Sequence, residues 1–341
     1  MSSPLRENAL LARFAGIGRD LPADVRVGPG DDLAVLGGVH AKNASGDGLL
    51  VGADQVVVGR HVRLDEDPFA IGRKAILRNL SDVAAMASRP LATIATATLD
   101  PTRDEDWAAR LHAGLHETAL AWRAPLVGGD LATHRVDDGP TVLSVTVLAV
   151  PALPDGRVVT RAGAVAGDLL AVTGRLGGSL GSDGRGRHLD FEPRIEAAIE
   201  LAEALGPDLV CMMDLSDGLA KDAARLTRMA GAAALVEAGS LPTHEGCDWR
   251  AAVGDGEDYE LLFVCRRTPP ASVAGVPVTV IGRVIDVDRD DEAGAVWITG
   301  HDRDARERVD HLGWEHRGGG DAGQNGSKPR SSRSSSGRPI E

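Results

Sequence analysis

Five short clusters bearing aspartate, set in turns, inside a strand and on a helix, constrain this chain more than any other feature. They are Gly28-Pro29-Gly30-Asp31-Asp32, Ala53-Asp54, Asn79-Leu80-Ser81-Asp82, Gly128-Gly129-Asp130 and Asp214-Leu215-Ser216-Asp217-Gly218. Asp54 falls inside a valine-rich run and Asp82 inside an otherwise apolar helical stretch. A carboxylate in such surroundings is costly unless it is paired or bound to a metal. Carboxylates recurring at the ends of elements are the donors that hard cations prefer, so the clusters read as one shared site for several Mg²⁺ ions. Beside glycine-rich turns, whose backbone N–H groups suit phosphate, the ligand expected with those ions is a nucleotide polyphosphate. Each cluster also has a plainer reading. Gly-Asp-Asp is a common turn, and Asp130, Ser216 or Asp217 would serve as a cap. A cap explains one residue of the Asp214 cluster and leaves the other aspartate over.

Composition narrows the partners. With 50 acidic against 37 basic residues in 341, and a formal net charge of −13, the chain lacks the basic face that nucleic acid requires. An anionic substrate is repelled as well, unless bound metal inverts the local sign. Cys211, Cys247 and Cys265 are an odd set without paired spacing, which argues against a disulfide framework and against zinc. The first residues have no apolar signal core, and no apolar run is long enough to span a bilayer. A cytoplasmic protein with no membrane or nucleic-acid partner is therefore expected. No Walker-type phosphate loop, kinase catalytic loop, dinucleotide fingerprint or nucleophile elbow is present.

Periodicity predicts helices over residues 4–18, 69–87, 107–122, 193–205 and 219–229, with Pro193 in the first turn of its helix. On the second of these, Asn79 and Asp82 share a face. Strands are predicted at 49–58, 91–98, 125–127, 141–150, 168–173, 209–213, 233–237, 260–265 and 276–281. Residues 151–155, with two prolines, look like a linker, and 174–186 is a glycine-rich connection. Strands and helices alternate in both halves, which favours layered α/β domains. The last residues, from Gly318, are rich in Gly and Ser and read as a disordered tail.

Over roughly residues 8–316 these pieces occur in the order found in thiamine-monophosphate kinases, of the aminoimidazole-ribonucleotide-synthetase-like superfamily, and the chain resembles that family. The matching segments are the five clusters, Gly59-Arg60-His61, Lys74-Ala75, Thr160-Arg161-Ala162-Gly163 and Gly256-Glu257-Asp258-Tyr259-Glu260-Leu261. The resemblance implies a two-domain AIR-synthetase-like (PurM-like) α/β fold. Residues 1–150 would be the ATP- and Mg²⁺-binding and dimerisation domain, 151–316 the second domain and 317–341 the tail. It implies direct transfer of the ATP γ-phosphate to thiamine monophosphate. It further implies Mg²⁺ ligation by Asp32, Asp54, Asp82, Asp130, Asp214 and Asp217, with Asp31 as their neighbour. ATP contacts would come from Asp32, Gly129, Asp130, Arg161 and Ser216. His61, Glu257 and Trp314 would touch thiamine monophosphate, and the chain would form a homodimer through its N-terminal sheets.

The chain also departs from the family. Gly52-Ala53-Asp54-Gln55 stands where the family has Ser-Thr-Asp, so hydroxyl donors beside one Mg²⁺ are missing and that ion is expected to bind weakly or through water. Asp255 replaces a small residue, and 188–194 differs from the usual His-Leu-Arg-Pro segment. A hydrogenase-maturation ATPase or a selenophosphate synthetase is expected to carry a cysteine near a terminus, which does not suit these three cysteines. The alternative is a divergent ATP-binding relative that senses another phosphorylated small molecule without catalysis.

Overall fold

The computed structural model describes residues 21–39, 47–136, 139–287, 289, 292–300 and 306–314. The helix expected at 4–18 and the tail beyond Gly318 lie outside them. Two sheets carry the fold. The first contains β1 (Val25–Val27), β2 (Ala34–Leu36), β3 (Leu49–Val57), β4 (Ser88–Leu99), β5 (Leu126–Thr133) and β6 (Val142–Pro151), in the order β1-β2-β3-β6-β4-β5. Only β4 and β5 run parallel. The helix between β3 and β4 is α1 (Pro68–Ala85), and that between β4 and β5 is α2 (Glu105–Ala121).

The second sheet is built from β7 (Leu169–Thr173), β8 (Leu209–Asp214), β9 (Ala233–Glu237), β10 (Leu261–Cys265), β11 (Ser272–Val273), β12 (Val276–Ile285), β13 (Val296–Thr299) and β14 (Glu307–Arg308). Its path is β14-β13-β9-β12-β7-β10-β8, with β11 on β12. Helices α3 (Ile195–Leu205), α4 (Leu219–Met229) and α5 (Trp249–Gly254) accompany it. Both sheets are largely antiparallel, so each can pack helices on one face and leave the other to solvent or a partner.

Helix α1 is the centre of the molecule. Asp67 caps it by accepting from Phe69 N at 3.1 Å, and Pro68 occupies the first turn, where its missing N–H costs nothing. Ile71, Ala75, Ile76, Leu80 and Val83 are buried in a core that also takes Leu143, Val145 and Val147 from β6 and Ala198, Ile199 and Leu201 from α3. That core therefore crosses from one sheet to the other. Helices α1 and α2 cross backbone to backbone. A Cβ on Gly114 would meet Phe69 O at 2.1 Å, and one on Gly72 would meet Leu111 O at 2.3 Å.

Three expectations change. Pro193 precedes α3 rather than entering it, since Arg194 is the cap and Ile195 the first helical residue. The proposed linker at 151–155 is packed: Leu153 is buried in the shared core and accepts a turn hydrogen bond from Gly156 N. The glycine-rich stretch after β7 is tied down, because Gly177 N and Ser179 Oγ donate to Asp258 Oδ1 and Gly178 N to Asp255 Oδ2. Its amides are thus spent on carboxylates of the chain itself.

Gly114→Ala is expected to destabilise the protein by roughly 1–3 kcal/mol, the usual cost of forcing atoms into a filled contact. Chemical denaturation measures this, and an unchanged midpoint would mean that the two helices do not approach so closely.

Candidate active site

Three carboxylates from distant stretches meet at one point. Asp32 comes from the turn before β2, Asp82 from the last turn of α1 and Asp214 from the end of β8, and oxygens of all three lie within 4.8 Å of one another. Ser81 Oγ donates to Asp214 Oδ2 at 2.7 Å. Burial, and then the neighbouring charges of Asp54, Asp214 and Asp32, hold the Asp82 carboxyl well above its usual range. Asp214 is pushed up to about 7 by burial and by Asp32. An all-oxygen donor set, clustered and short of positive charge, fits a hard divalent cation.

Arginines close the rim. Arg161 forks onto Asp32, with Nε 2.9 Å from Oδ2 and Nη2 donating to Oδ1, while its backbone N–H reaches Asp31 Oδ2 at 3.1 Å. Burial, then Asp32, raises the Asp31 carboxyl. Arg225 pairs with Asp217 and, at 2.9 Å, with Asp222. Asp222 is fully buried, and its Oδ2 accepts from Ser216 N at 3.1 Å and Asp217 N at 3.0 Å. That carboxylate shapes the strand-to-helix turn carrying Ser216 and Asp217. Asp54 shares the inward side of β3 with Leu50 and Val56, and it pairs with Arg78 of α1.

A second group of side chains lies further up α1. Lys74 is fully buried, and its Nζ donates to His61 O at 2.9 Å and to Glu257 Oε1 at 2.6 Å, with His188 Nδ1 also 2.6 Å away. The two oxygens accept from the ammonium, and the role of the imidazole nitrogen is set by its tautomer. Burial pushes Lys74 down to about 8, against the pull of Glu257. Burial opposes the charge of Glu257, yet Lys74 and His188 hold its carboxyl well below the usual range. Tyr259 OH also donates to Glu257 Oε1 at 3.2 Å. Gly256, Glu257 and Tyr259 all have positive φ (71°, 53° and 52°). Backbone strain at non-glycine residues persists only where surrounding contacts hold it, here the hydrogen bonds from Glu257 N to Ser216 O and from Tyr259 N to Leu215 O.

The residues singled out from sequence are thus distributed as follows. Asp32, Asp82 and Asp214 converge, with Asp31, Arg161, Ser216 and Asp217 against them. His61 and Glu257 meet through Lys74, and His61 Nδ1 accepts from Val57 N at 2.9 Å. Trp314, 36% exposed, is held beside the Asp217 turn by a backbone bond to Asp217 O at 2.9 Å. Gly129 and Asp130 are not brought into the group within one chain. The register runs Gln55–Ser144–Thr96–Asp130, placing Asp130 three strands from β3 and on the side opposite Asp54. At ordinary strand spacing that separation is about 14 Å.

The sequence reading passed over Lys74 as a site residue, and also Arg78, His188 and Asp222. Lys74, Arg78 and Asp82 follow one another at intervals of four, so their spacing alone marks one helical stripe. For His188 the sequence offers only its place at the start of the 188–194 segment, and its position beside Lys74 depends on the loop after β7.

Residues 30–150 match the family model for AIR synthase related protein, N-terminal domain. Thiamine-monophosphate kinase of Rhodopirellula baltica is 35% identical over 296 residues, covering 82% of this chain and 89% of the relative. The Mycobacterium tuberculosis thiamine-monophosphate kinase is 34% identical over 308 residues, covering 83% and 86%. Among solved structures, AaThiL complexed with AMPPCP and TMP superposes with a TM-score of 0.71 at 25% identity, covering 92% of this chain and 100% of that one. Similarity of this extent, running through both sheets and the carboxylate cluster between them, places the chain in the thiamine-monophosphate kinase family.

Proposed function

We propose that this chain transfers the γ-phosphate of ATP to the phosphate of thiamine monophosphate, giving thiamine diphosphate and ADP. The convergence of Asp32, Asp82 and Asp214 carries this reading. An oxygen of the acceptor phosphate forms the new bond to the γ-phosphorus, and the bond to the β-phosphate oxygen breaks, its electron pair leaving with ADP. The acceptor is already largely dianionic at neutral pH, so no base is needed. The difficulty is to hold two polyanions in line. Mg²⁺ held by Asp32, Asp82 and Asp214 would supply the positive charge that offsets this repulsion.

The chain's own residues supply the rest. Asp32, Asp82 and Asp214 hold the metal, with Asp217 beside them on the turn shaped by Asp222. Arg161, now on Asp32, has the fork geometry to clamp phosphate oxygens. Ser216 lines the N-terminal end of α4, where backbone dipoles favour phosphate. At the other end of α1, Lys74 and His188 keep Glu257 ionised beside His61. A carboxylate there suits the cationic thiazolium ring of the substrate, with Trp314 as a stacking surface.

We place Gly129 and Asp130 at a seam between two copies. They lie on β5, which pairs only with β4 among the described residues and exposes Val127 and Leu131. An apolar edge of this kind calls for a partner strand.

Purified protein with ATP, Mg²⁺ and thiamine monophosphate is expected to form thiamine diphosphate. ATP binding without product would favour the sensor. Asp82→Asn and Asp214→Asn should each lower kcat/KM by on the order of 10²-fold or more while the protein stays folded, as for other groups that stabilise transferring charge. Near-normal rates in both would remove the metal reading. Leu131→Glu should shift the mass in light scattering from dimer to monomer and reduce turnover, and an unchanged mass would place the interface elsewhere.

The cluster also sets a pH dependence. In metal-free protein the raised Asp82 and Asp214 values mean that the folded chain binds more protons than the unfolded one above the ordinary aspartate value of 3.8. The stability this contributes is full below that value and is lost as pH rises through the folded value, about 7 for Asp214. With a chelator present, Tm should therefore fall across that window, and Mg²⁺ should raise it most at the alkaline end. Asp214→Asn should flatten the chelator curve, and identical curves for variant and wild type would contradict the assignment.

A further inference from the structure

Asp54 was expected among the metal ligands, yet it stands outside the group formed by Asp32, Asp82 and Asp214. Its Oδ2 lies 3.2 Å from Arg78 Nε, with the two side chains 35% and 14% exposed. Arg78 Nη1 donates to Gln55 O at 2.9 Å, so its guanidinium is held against β3 by one hydrogen bond and by the charge of Asp54, while its Nε–H makes no hydrogen bond. Burial opposes its charge, but the carboxylates of Asp54, Glu257 and Asp82 favour the charged form.

The face of β3 that carries Asp54 offers no second side-chain oxygen, because its neighbours there are Gly52 and Val56, while Ala53 and Gln55 face the other way. Position 52 has no room for one. A Cβ there would meet Leu33 Cδ2 at 2.3 Å, and Leu33 is itself buried in the core. A divalent ion at Asp54 would therefore find no hydroxyl ligand on that face of the strand and a guanidinium as its neighbour, with Asp82 as the other carboxylate nearby. Like charges at that range repel. An arginine, in contrast, neutralises a carboxylate without needing further ligands and still presents donors to phosphate. Among the described residues Arg78 Nη2 has no hydrogen-bond partner, and Arg78 lies on α1 between Asp82 of the acidic cluster and Lys74 at the Glu257 end.

We propose that Arg78 takes the place of a divalent cation at Asp54, so that one of the positive charges needed for phosphoryl transfer is built into α1. This rests on the metal-assisted reading above, and it assigns Arg78 as a further phosphate-facing residue of the same site. It changes the role of Asp54 from metal ligand to anchor of the arginine.

The test counts ions rather than turnover. Full-length protein is titrated with Mn²⁺ in the presence of a non-hydrolysable ATP analogue, and free Mn²⁺ is followed by electron paramagnetic resonance. Asp54→Asn should bind as many ions as wild type, whereas Asp82→Asn should bind fewer. Arg78→Met should gain one ion, which the Arg78→Met/Asp54→Asn double variant loses again, and Arg78→Lys should stay at the wild-type count. Loss of an ion in Asp54→Asn alone overturns the proposal, whether or not Arg78→Met folds. Unchanged counts in Asp82→Asn would instead sink the metal-cluster reading, and the proposal with it.

Discussion

Electrostatic repulsion among carboxylates is the constraint on which the rest of this molecule depends. Asp32, Asp82 and Asp214 come from an N-terminal turn, a central helix and a C-terminal strand, and folding forces them together against their mutual charge. Burial first, and then the charges of the neighbouring carboxylates, raise the Asp82 and Asp214 carboxyls. A fold keeps such strain only where something else offsets it. Around the cluster the outer aspartates each have a guanidinium: Arg161 for Asp32, Arg78 for Asp54 and Arg225 for Asp217 and Asp222. At the centre, among the described residues, Asp214 has only the hydroxyl of Ser81 as a side-chain donor. The deficit of positive charge is therefore concentrated where a metal would sit.

Helix α1 turns this balance into a direction. Lys74, Arg78 and Asp82 run along one stripe, from a cation paired with Glu257, through a cation paired with Asp54, to the acidic cluster. A donor carrying metal and an acceptor carrying a positive ring would lie naturally at opposite ends of it. The helix can hold charged groups inside the protein because its other faces are packed against β6, α2 and α3, with two glycines admitting α2 at backbone distance. Packing thus makes the stripe rigid, and rigidity is what in-line transfer demands.

Much of the local structure was legible from residue order. The runs that became α1, α2 and α4 and strands β3, β6, β8 and β9 show their periods plainly, because apolar spacing and turn residues agree there. Short or edge elements were not legible. β1, β2, β13 and β14 have two to four residues each and gain their pairing only from distant neighbours. The segment after β6 looked like a linker because proline and glycine usually punctuate open chain, but Leu153 found a place in a core shared by both sheets.

The kinds of side chain at the site were set by sequence alone: hard oxygen donors beside glycine turns, a guanidinium after Thr160, and a Glu-Asp pair before a strand. Their grouping was decided by tertiary structure, since only β-sheet register tells whether a carboxylate faces the core or the solvent. Asp54 was legible inside a strand and Asp130 only after one, but β5 runs on through Asp130, and register puts the two on opposite faces and three strands apart. Likewise, nothing in the order of residues says that Lys74, His188 and Glu257 will share one buried charge. Neighbours far apart along the chain are chosen by how the two sheets close around α1, and that closure is a property of the whole packed core.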